Sequence, residues 1–272
     1  MKGMHKRLLI MVPVAALWLI PLFWMLVLAL TPNNLVQENT IRLFPAQPTV
    51  ENLISVLRRG LTMRWFMNSM IVAASTTVLV ALSQAMAAYA IARIPFRGRM
   101  IVYPMILAGL MVPREAMFVP LFLMFAEWSA HNTYAALVLP RVAIPLGVFL
   151  VTQFMLAIPR EVEEATQIDG ATRWTAFWKI VLPMSLPALT ALSVFTFIQT
   201  WNDYLWPLVS ATRKEMFTIT TGLASLQGNF AQSTELGSLM ARGVVAAIPL
   251  LVLFFIFQKN LIRGISMTSG GK

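Results

Sequence analysis

Carboxylate, glycine and aromatic residues are concentrated in residues 159–183, between two apolar stretches in the second half of the chain. Glu161, Glu163 and Glu164 fall in what would be the first turn of a helix, where the helix dipole favours negative charge. Gly170 can adopt the positive φ that ends such a helix. The pattern predicts a short acidic helix closed by a glycine, a shape suited to contacting another molecule.

A second short helix is predicted after the glycine. Thr172 can cap it by accepting a backbone N–H, and Pro183 ends it. Spacing at i, i+3, i+4 and i+7 places its apolar residues on one stripe: Trp174, Phe177, Trp178 and Val181. Such a stripe fits an interfacial helix with aromatic rings among lipid headgroups, and also a helix that docks into the groove of a cytoplasmic partner. Spacing alone leaves both interpretations open.

Membrane-spanning helices must position this segment. Hydrophobic residues make up 58% of the 272 residues, and the mean hydropathy is +0.73. Six apolar stretches approach the ~20 residues that cross a bilayer, and we number them spans 1 to 6: residues 8–30, 65–91, 100–125, 134–157, 184–209 and 239–257. Because only a helix satisfies its own backbone in lipid, the sequence predicts an all-α polytopic membrane protein with six transmembrane helices. The first stretch is longer than a signal-peptide core, so we expect it to be retained as a span.

Basic residues predict the orientation of the spans. With the N-terminus inside, the cytoplasmic side receives twelve of them: Lys2, Lys6, Arg7, Arg93, Arg97, Arg99, Arg160, Arg173, Lys179, Lys259, Arg263 and Lys272. The opposite side receives six: Arg42, Arg58, Arg59, Arg64, Arg213 and Lys214. The positive-inside rule therefore predicts that both termini are cytoplasmic and that residues 159–183 face the cytoplasm between spans 4 and 5. The net charge of +10 is dispersed between apolar runs, which argues against a nucleic-acid partner.

Two long connections fall on the outer side in this topology, residues 31–64 and 210–237. Proline in the first and glycine in the second predict loops with short helical pieces. Connections of this length are uncommon unless they are functional. They are either plain connectors or a surface that receives an outer partner, and the sequence leaves both interpretations open.

A family resemblance rests on the cytoplasmic segment. Glu164-Ala165-Thr166 is followed after three residues by Gly170 and, nine residues later, by Ile-Val-Leu-Pro at 180–183. This pattern resembles the EAA motif of ABC-importer permeases, with Thr166 in place of the usual third-position alanine. Further stretches are similar to the carbohydrate-uptake branch and its smaller, six-span maltose-transport permeases: residues 159–163, 167–171 and 201–208.

The resemblance implies a binding-protein-dependent permease subunit for a sugar or related solute, with a single membrane domain over residues 1–272 and a core at 65–257. It implies the bacterial cytoplasmic (inner) membrane, lipid contact, a second homologous permease, two copies of a cytoplasmic ABC ATPase and an extracytoplasmic solute-binding protein. It also implies that residues 159–183 sit in a cleft of the ATPase through a set of coupling residues: Glu163, Glu164, Ala165, Asp169, Gly170, Ala171, Leu182 and Pro183.

The chain contains few residues of the types that usually perform catalysis or bind metal ions. There is no cysteine, and the two histidines, His5 and His131, fall on opposite sides of the membrane in the predicted topology. No G-x-x-x-x-G-K-[ST] run is present to cradle nucleotide phosphates. We therefore predict no catalytic residue, no metal site and no cofactor bound by this chain, with ATP and Mg²⁺ used by the partner ATPase.

Charged residues inside the predicted spans are the remaining candidates for function, because each costs about 2.5–3.5 kcal/mol at a helix centre. Pro113 should break span 3 and free backbone carbonyls beside it. Arg114, Arg141, Asp203 and Arg242 either pair to hold the bundle together or serve the transport pathway, and a contact between Asp203 and an arginine is a hypothesis. The candidate pathway residues are Arg114, Glu115, Gln199, Trp201, Asn202, Asp203 and Tyr204.

Several alternatives stay open at the level of the sequence. The solute could be a sugar phosphate or a polyol instead of a sugar. An ATP-independent secondary transporter would be expected to show repeated halves, and none is evident in this sequence. A membrane enzyme would need catalytic groups that converge at one depth, for which two histidines and no cysteine offer little.

Overall fold

The computed structural model describes residues 2–36, 43–45, 47–58, 60–168, 170–227 and 235–269, with the backbone alone for residues 2–10, 167 and 259–269. All regular secondary structure in these ranges is helical, which confirms the all-α prediction. The α-helices, in chain order, are α1 (Lys2–Ala29), α2 (Asn33–Val36), α3 (Glu51–Arg58), α4 (Thr62–Arg93), α5 (Arg99–Ala108), α6 (Phe118–Glu127), α7 (Tyr134–Val138), α8 (Pro145–Ala157), α9 (Glu161–Ile168), α10 (Arg173–Ala176), α11 (Leu182–Met184), α12 (Leu186–Trp201), α13 (Leu205–Ser210), α14 (Ile219–Gln227) and α15 (Leu236–Ser269).

Three of the described helices are long and apolar enough to cross a membrane on their own: Met11–Ala29, Thr62–Arg93 and Leu236–Gln258. Three further pairs pass the same test together but are bent at a short break: Arg99–Met111 with Arg114–Glu127, Tyr134–Arg141 with Pro145–Ala157, and Arg173–Met184 with Leu186–Trp201. By length and composition the described part of the chain therefore supplies three spans, or up to six when each bent pair counts as one. The prediction of six spans corresponds to the upper value.

The bends follow from local sequence. Between the halves of span 3 the chain turns by 97°, where Val112 and Pro113 are extended and 3₁₀ turns flank them. Proline lacks the N–H that would continue the helical hydrogen bonds, and it disfavours helical conformation in the residue before it. The predicted break at Pro113 is confirmed. The 72° bend before α12 lies at Ser185, one residue before Leu186 and two after Pro183. The helix continues through Pro183 to Met184, so the predicted stop at Pro183 is displaced by one residue.

Span 5 is shorter than its predicted range. Helix α12 ends at Trp201, and Asn202 to Tyr204 separate it from α13. The two predicted outer connections contain short helical pieces within their described residues, as expected: α2 and α3 in the first, and a 3₁₀ turn at Lys214–Met216 with α14 in the second.

The chain divides into two compact units, neither of which is continuous in sequence. One unit comprises Met1–Met67 and Thr218–Pro249, and its core includes Ala29, Val56 and Ala241. In this unit the side-chain amide of Asn52 donates to the carbonyl oxygens of Ala29 (3.1 Å) and Thr31 (2.8 Å), which joins α3 to the end of α1. The prediction of a single membrane domain over residues 1–272 stays a prediction.

The other unit comprises Asn68–Phe217 and Leu250–Lys272, and it holds both candidate sites. Small residues of α4, Ala85, Ala88 and Ala92, are fully buried in its core. Their size lets helix backbones approach closely, which is the usual way that membrane helices pack. Phe177 and Val181 of residues 159–183 belong to the same core, so this segment is fixed to the helices of the unit by apolar packing.

Candidate functional site

The segment at residues 159–183 has the predicted helix–glycine–helix form. Gly170 has φ +82°, and the N–H of Ala171 donates to the carbonyl oxygen of Thr166 at 3.0 Å, the bond that closes a helix in a Schellman motif. Thr172 caps the following helix, because its hydroxyl oxygen accepts the N–H of Thr175 at 3.2 Å. Both local predictions are confirmed. Asp169 lies outside the described residues.

Backbone conformation, and not lack of space, favours glycine at position 170. A Cβ built on Gly170 would meet nothing within 4 Å, so space is not the constraint. The positive φ is what other residue types avoid. Thr166, the residue that departs from the usual motif, donates its hydroxyl to the carbonyl oxygen of Glu163 at 2.7 Å. The extra polar group is therefore satisfied within its own helix.

The aromatic stripe after Gly170 is split, which corrects the prediction of one uniform apolar face. Phe177 and Val181 are buried at 2% and 1% exposure, whereas Trp174 is 63% exposed and Trp178 39% exposed. Residues four apart lie on the same edge of a helical stripe, so each pair takes one edge. The inward pair, Phe177 and Val181, lies at the two ends of a π-helical turn and packs in the core. The outward edge presents two indole rings in a T-shaped arrangement, with centroids 5.6 Å apart.

The motif residues divide between an outer and an inner side of the segment. Glu164, Ala165, Gly170 and Pro183 are exposed, Ala171 is half-buried, and Leu182 packs against the core. Glu163 is different, because it is only 8% exposed. The two neighbouring glutamates therefore differ in environment, with Glu163 buried and Glu164 exposed.

Glu163 is held by two residues that the sequence did not single out. The Tyr89 hydroxyl donates to Oε1 of Glu163 at 2.5 Å, and Nε of Arg93 lies 3.5 Å from Oε2. Arg93 also donates from Nη2 to the carbonyl oxygens of Met155 (2.8 Å) and Ile158 (2.6 Å). The available signal was the i, i+4 spacing of a tyrosine and an arginine at the end of a predicted span.

A cavity of about 760 Å³ lies among the broken helices of the same unit. Its wall is mostly apolar and aromatic, with rings from Phe118, Phe125, Trp128, Phe195 and Trp206. Polar side chains reach it from Arg114, Arg141, Thr196, Gln199 and Thr200. Thr196, Gln199 and Thr200 are spaced i, i+3 and i+4 on α12, so their common face was readable from the sequence.

Arg141 and Asp203 form an ion pair beside this cavity, which confirms the hypothesis that Asp203 contacts an arginine. Their side chains are 8% and 12% exposed. Arg141 belongs to the 3₁₀ turn that follows α7, and Asp203 to the break after α12. The pair therefore joins two helix interruptions. In the other unit, Arg242 donates to the hydroxyl oxygen of Thr62 at 3.2 Å.

The candidate pathway residues occupy different places. Arg114 and Gln199 line the cavity, and Asp203 pairs with Arg141. Trp201 is buried and stacks on Phe197 with ring centroids 5.8 Å apart. The remaining three are exposed: Glu115, Asn202 and Tyr204. Within the described part of the chain, no group of three or more His, Cys, Asp or Glu side chains is placed to hold a metal ion.

The described helices, three to six of which are long and apolar enough to cross a membrane, define a polytopic membrane protein. Residues 84–267 match the family described as "Binding-protein-dependent transport system inner membrane component". The chain is 34% identical over 261 residues to the arabinooligosaccharides transport system permease protein AraQ of Halalkalibacterium halodurans, covering 95% of this chain and 92% of that protein. It is 34% identical over 256 residues to the sn-glycerol-3-phosphate transport system permease protein UgpE of Salmonella typhi, covering 92% and 91%.

A solved structure described as a bacterial ABC transporter involved in the import of the acidic polysaccharide alginate has a chain with the same fold. Its TM-score is 0.82 at 20% sequence identity, covering 94% of this chain and 95% of that one.

The chain belongs to the family of binding-protein-dependent transport system inner membrane components, the permease subunits of ABC importers. It is accordingly a multi-pass inner-membrane subunit without catalytic activity of its own, and ATP is hydrolysed by a separate subunit. Membership of this family excludes the two rival classes, a secondary transporter and a membrane enzyme.

Proposed function

We propose that this chain is the permease subunit through which an ATP-driven importer takes up an oligosaccharide or a related sugar. The observation that carries the proposal is the helix–glycine–helix segment, whose outward side offers Glu164, Ala165 and Gly170 while its inward side is packed into the bundle. A helical segment that is packed on one side and exposed to solvent on the other is suited to binding in a cleft of a cytoplasmic ATPase. Relatives of similar length with saccharide-transport names support the sugar assignment.

The assembly and topology belong to the same proposal. Six spans place both termini and residues 159–183 in the cytoplasm, where two copies of an ABC ATPase use ATP and Mg²⁺. One copy receives the segment, and a second homologous permease completes the pathway. An extracytoplasmic solute-binding protein docks on the outer connections, residues 31–64 and 210–237.

The cavity supports a neutral solute. Because Asp203 neutralises Arg141, much of the polar wall is formed by the uncharged groups of Thr196, Gln199 and Thr200. Hydroxyl and amide groups beside aromatic rings are suited to a sugar, whose rings have apolar faces and hydroxyl edges. We assign solute contact to Arg114 and Gln199 among the candidate pathway residues, with Asp203 acting through Arg141.

A second candidate solute is a sugar phosphate. Arg114 lines the cavity, and a guanidinium is well matched to a phosphate. The relative named for sn-glycerol-3-phosphate transport is as similar in identity as the one named for arabinooligosaccharides. A thermal-shift screen of the cognate binding protein against neutral oligosaccharides, polyols and sugar phosphates separates these classes. Stabilisation by sugar phosphates alone would contradict the neutral-sugar assignment.

The coupling role is tested in the assembled transporter, reconstituted in proteoliposomes with its binding protein. A double variant, Glu164→Ala with Gly170→Pro, should lose import because the outer contact and the turn are both removed. Glu161→Ala is the matched control, since it removes an exposed carboxylate from the same helix, and it should import normally. Unchanged import in the double variant, or purification of the native chain without any ATPase, would overturn the proposal.

A further inference from the structure

We call residues 159–183 the coupling segment. Three stretches that are distant in sequence meet on its buried side. They are the end of α4 with Tyr89 and Arg93, the end of α8 with the carbonyl groups of Met155 and Ile158, and the first turn of α9 with Glu163. All of them lie in one compact unit. The Tyr89, Arg93 and Glu163 side chains are nearly inaccessible to solvent.

Tyr89 is positioned between the two helices of the segment. Its hydroxyl donates to Glu163 on α9 at 2.5 Å, and the same oxygen lies 3.2 Å from the carbonyl oxygen of Arg173 on α10. Its ring packs on Phe177, with ring centroids 5.0 Å apart. One side chain of α4 therefore touches the segment on both sides of Gly170.

Arg93 connects the same carboxylate to a third element. Nη2 of Arg93 donates to two carbonyl oxygens at the end of α8, that of Met155, which also accepts the N–H of Ile158, and that of the cap residue Ile158. Its Nε lies 3.5 Å from Oε2 of Glu163. A positive charge is also favoured at the negative end of a helix dipole. Arg93 thus holds α8 and α9 to the end of α4.

Helix α9 needs such contacts to keep a fixed position. It has eight residues, and isolated helices of that length are not stable in water. A buried carboxylate is retained only when it is paired or hydrogen-bonded. Because Glu163 is adjacent to the exposed Glu164, any displacement of Glu163 moves the proposed ATPase contact with it.

We propose that Tyr89, Arg93 and Glu163 form a latch that makes the coupling segment and the inner ends of α4 and α8 move as one body. These are positioning residues, since they act through Glu164 and Gly170 and do not themselves contact the ATPase. The proposal rests on the coupling function proposed above. Without the latch, movement imposed on the segment by the ATPase would no longer be passed to the spans.

The first test uses the complete transporter with Tyr89→Phe, which removes one hydroxyl and keeps the ring. We expect the ATPase subunits to co-purify at wild-type stoichiometry and hydrolysis to remain responsive to the loaded binding protein. The amount of ATP hydrolysed per imported solute should rise about fivefold or more. Tyr103→Phe is the matched control, since that hydroxyl accepts a hydrogen bond from Gln153 in the same unit but lies outside the latch, and it should leave the ratio unchanged.

A ratio unchanged from the wild type in Tyr89→Phe would overturn the latch, as would a fall in import that only follows a loss of assembled complex. Adding Glu163→Gln to Tyr89→Phe should change the ratio by less than the sum of the two single changes, because both residues belong to the same latch and contact each other. Full additivity of the two changes would also count against it. If the wild-type assembly itself hydrolyses ATP without import, the proposed function fails and the latch fails with it.

The second test restores the link by other means. The chain contains no cysteine, so Tyr89→Cys with Glu163→Cys introduces its only two thiols. The reduced double variant should be uncoupled, and a short bifunctional thiol reagent should restore import. Import that stays lost after verified cross-linking would mean that the two elements must separate during the cycle, which contradicts movement as one body.

Discussion

Two buried charge clusters lie in the same compact unit, and they are built differently. Beside the cavity, Arg141 and Asp203 have each other as charged partners. Behind the coupling segment, Glu163 is held by a tyrosine hydroxyl and an arginine that also bonds two backbone carbonyls. In the cavity pair, opposite charges cancel next to the cavity. The inner cluster, formed by Tyr89, Arg93 and Glu163, instead connects the ends of α4 and α8 to the start of α9. Buried charges in one unit can thus serve an electrostatic or a mechanical purpose.

The largest expected effect is loss of one member of the cavity pair. Arg141→Met or Asp203→Leu alone breaks the buried pair by removing one partner and should destabilise the fold by about 3–5 kcal/mol. The double variant, Arg141→Met with Asp203→Leu, should recover most of that loss because both charges of the pair are removed together. Thermal unfolding of the purified assembly measures this. A double variant as unstable as the singles would show that the pair does more than cancel charge.

A smaller effect is expected from the inner cluster. Glu163→Ala removes hydrogen bonds to a charged group, which are worth about 1.5–3 kcal/mol. Arg93 keeps its two carbonyl acceptors in this variant, so its charge is not stranded. The same unfolding measurement should therefore rank Glu163→Ala as milder than Asp203→Leu. The opposite order would remove the distinction between the two clusters.

The smallest effect is expected at the turn between the helices of the coupling segment. Gly170→Ala places a side chain at positive φ without a clash and should cost about 1–2 kcal/mol. Gly98→Ala is a close match, because Gly98 has φ +89° and equally open space. Both variants should lose similar stability, and only Gly170→Ala should raise the ATP consumed per imported solute. Equal effects on coupling would mean that the turn at 170 has no special role.

Local features of the coupling segment were predictable from the sequence. Gly170 and Thr172 act through their own backbone and near neighbours, so residue type and spacing were sufficient. The break at Pro113 is of the same kind. The direction of Glu163 was not predictable, because periodicity fixes the spacing of a helical face but not which face meets the bundle. Tyr89 is 74 positions away from Glu163 in sequence, and only the packing of α4 brings them together.

The cavity also shows which features residue spacing predicts and which depend on packing between distant elements. Thr196, Gln199 and Thr200 share a helical face that spacing reveals, but the rings opposite them come from Phe118, Trp128 and Trp206 on other elements. Trp201 resembled a pathway residue by type and neighbourhood, and it is stacked in the interior instead. Its role in the pathway stays a prediction.

Glu163 is buried and its neighbour Glu164 is exposed. This arrangement limits the insertions and deletions that helix α9 can accept. A helix rotates by about 100° per residue, so one inserted or deleted residue before Glu163 would turn its side chain out of the interior and change which residues are exposed for the proposed ATPase contact. Substitutions such as threonine for alanine at position 166 are compatible with the backbone, since the hydroxyl bonds within the helix. Residues 161–168 should therefore tolerate changes of residue type far better than single-codon insertions or deletions, and a scan of such variants selected for growth on the imported solute would display that asymmetry.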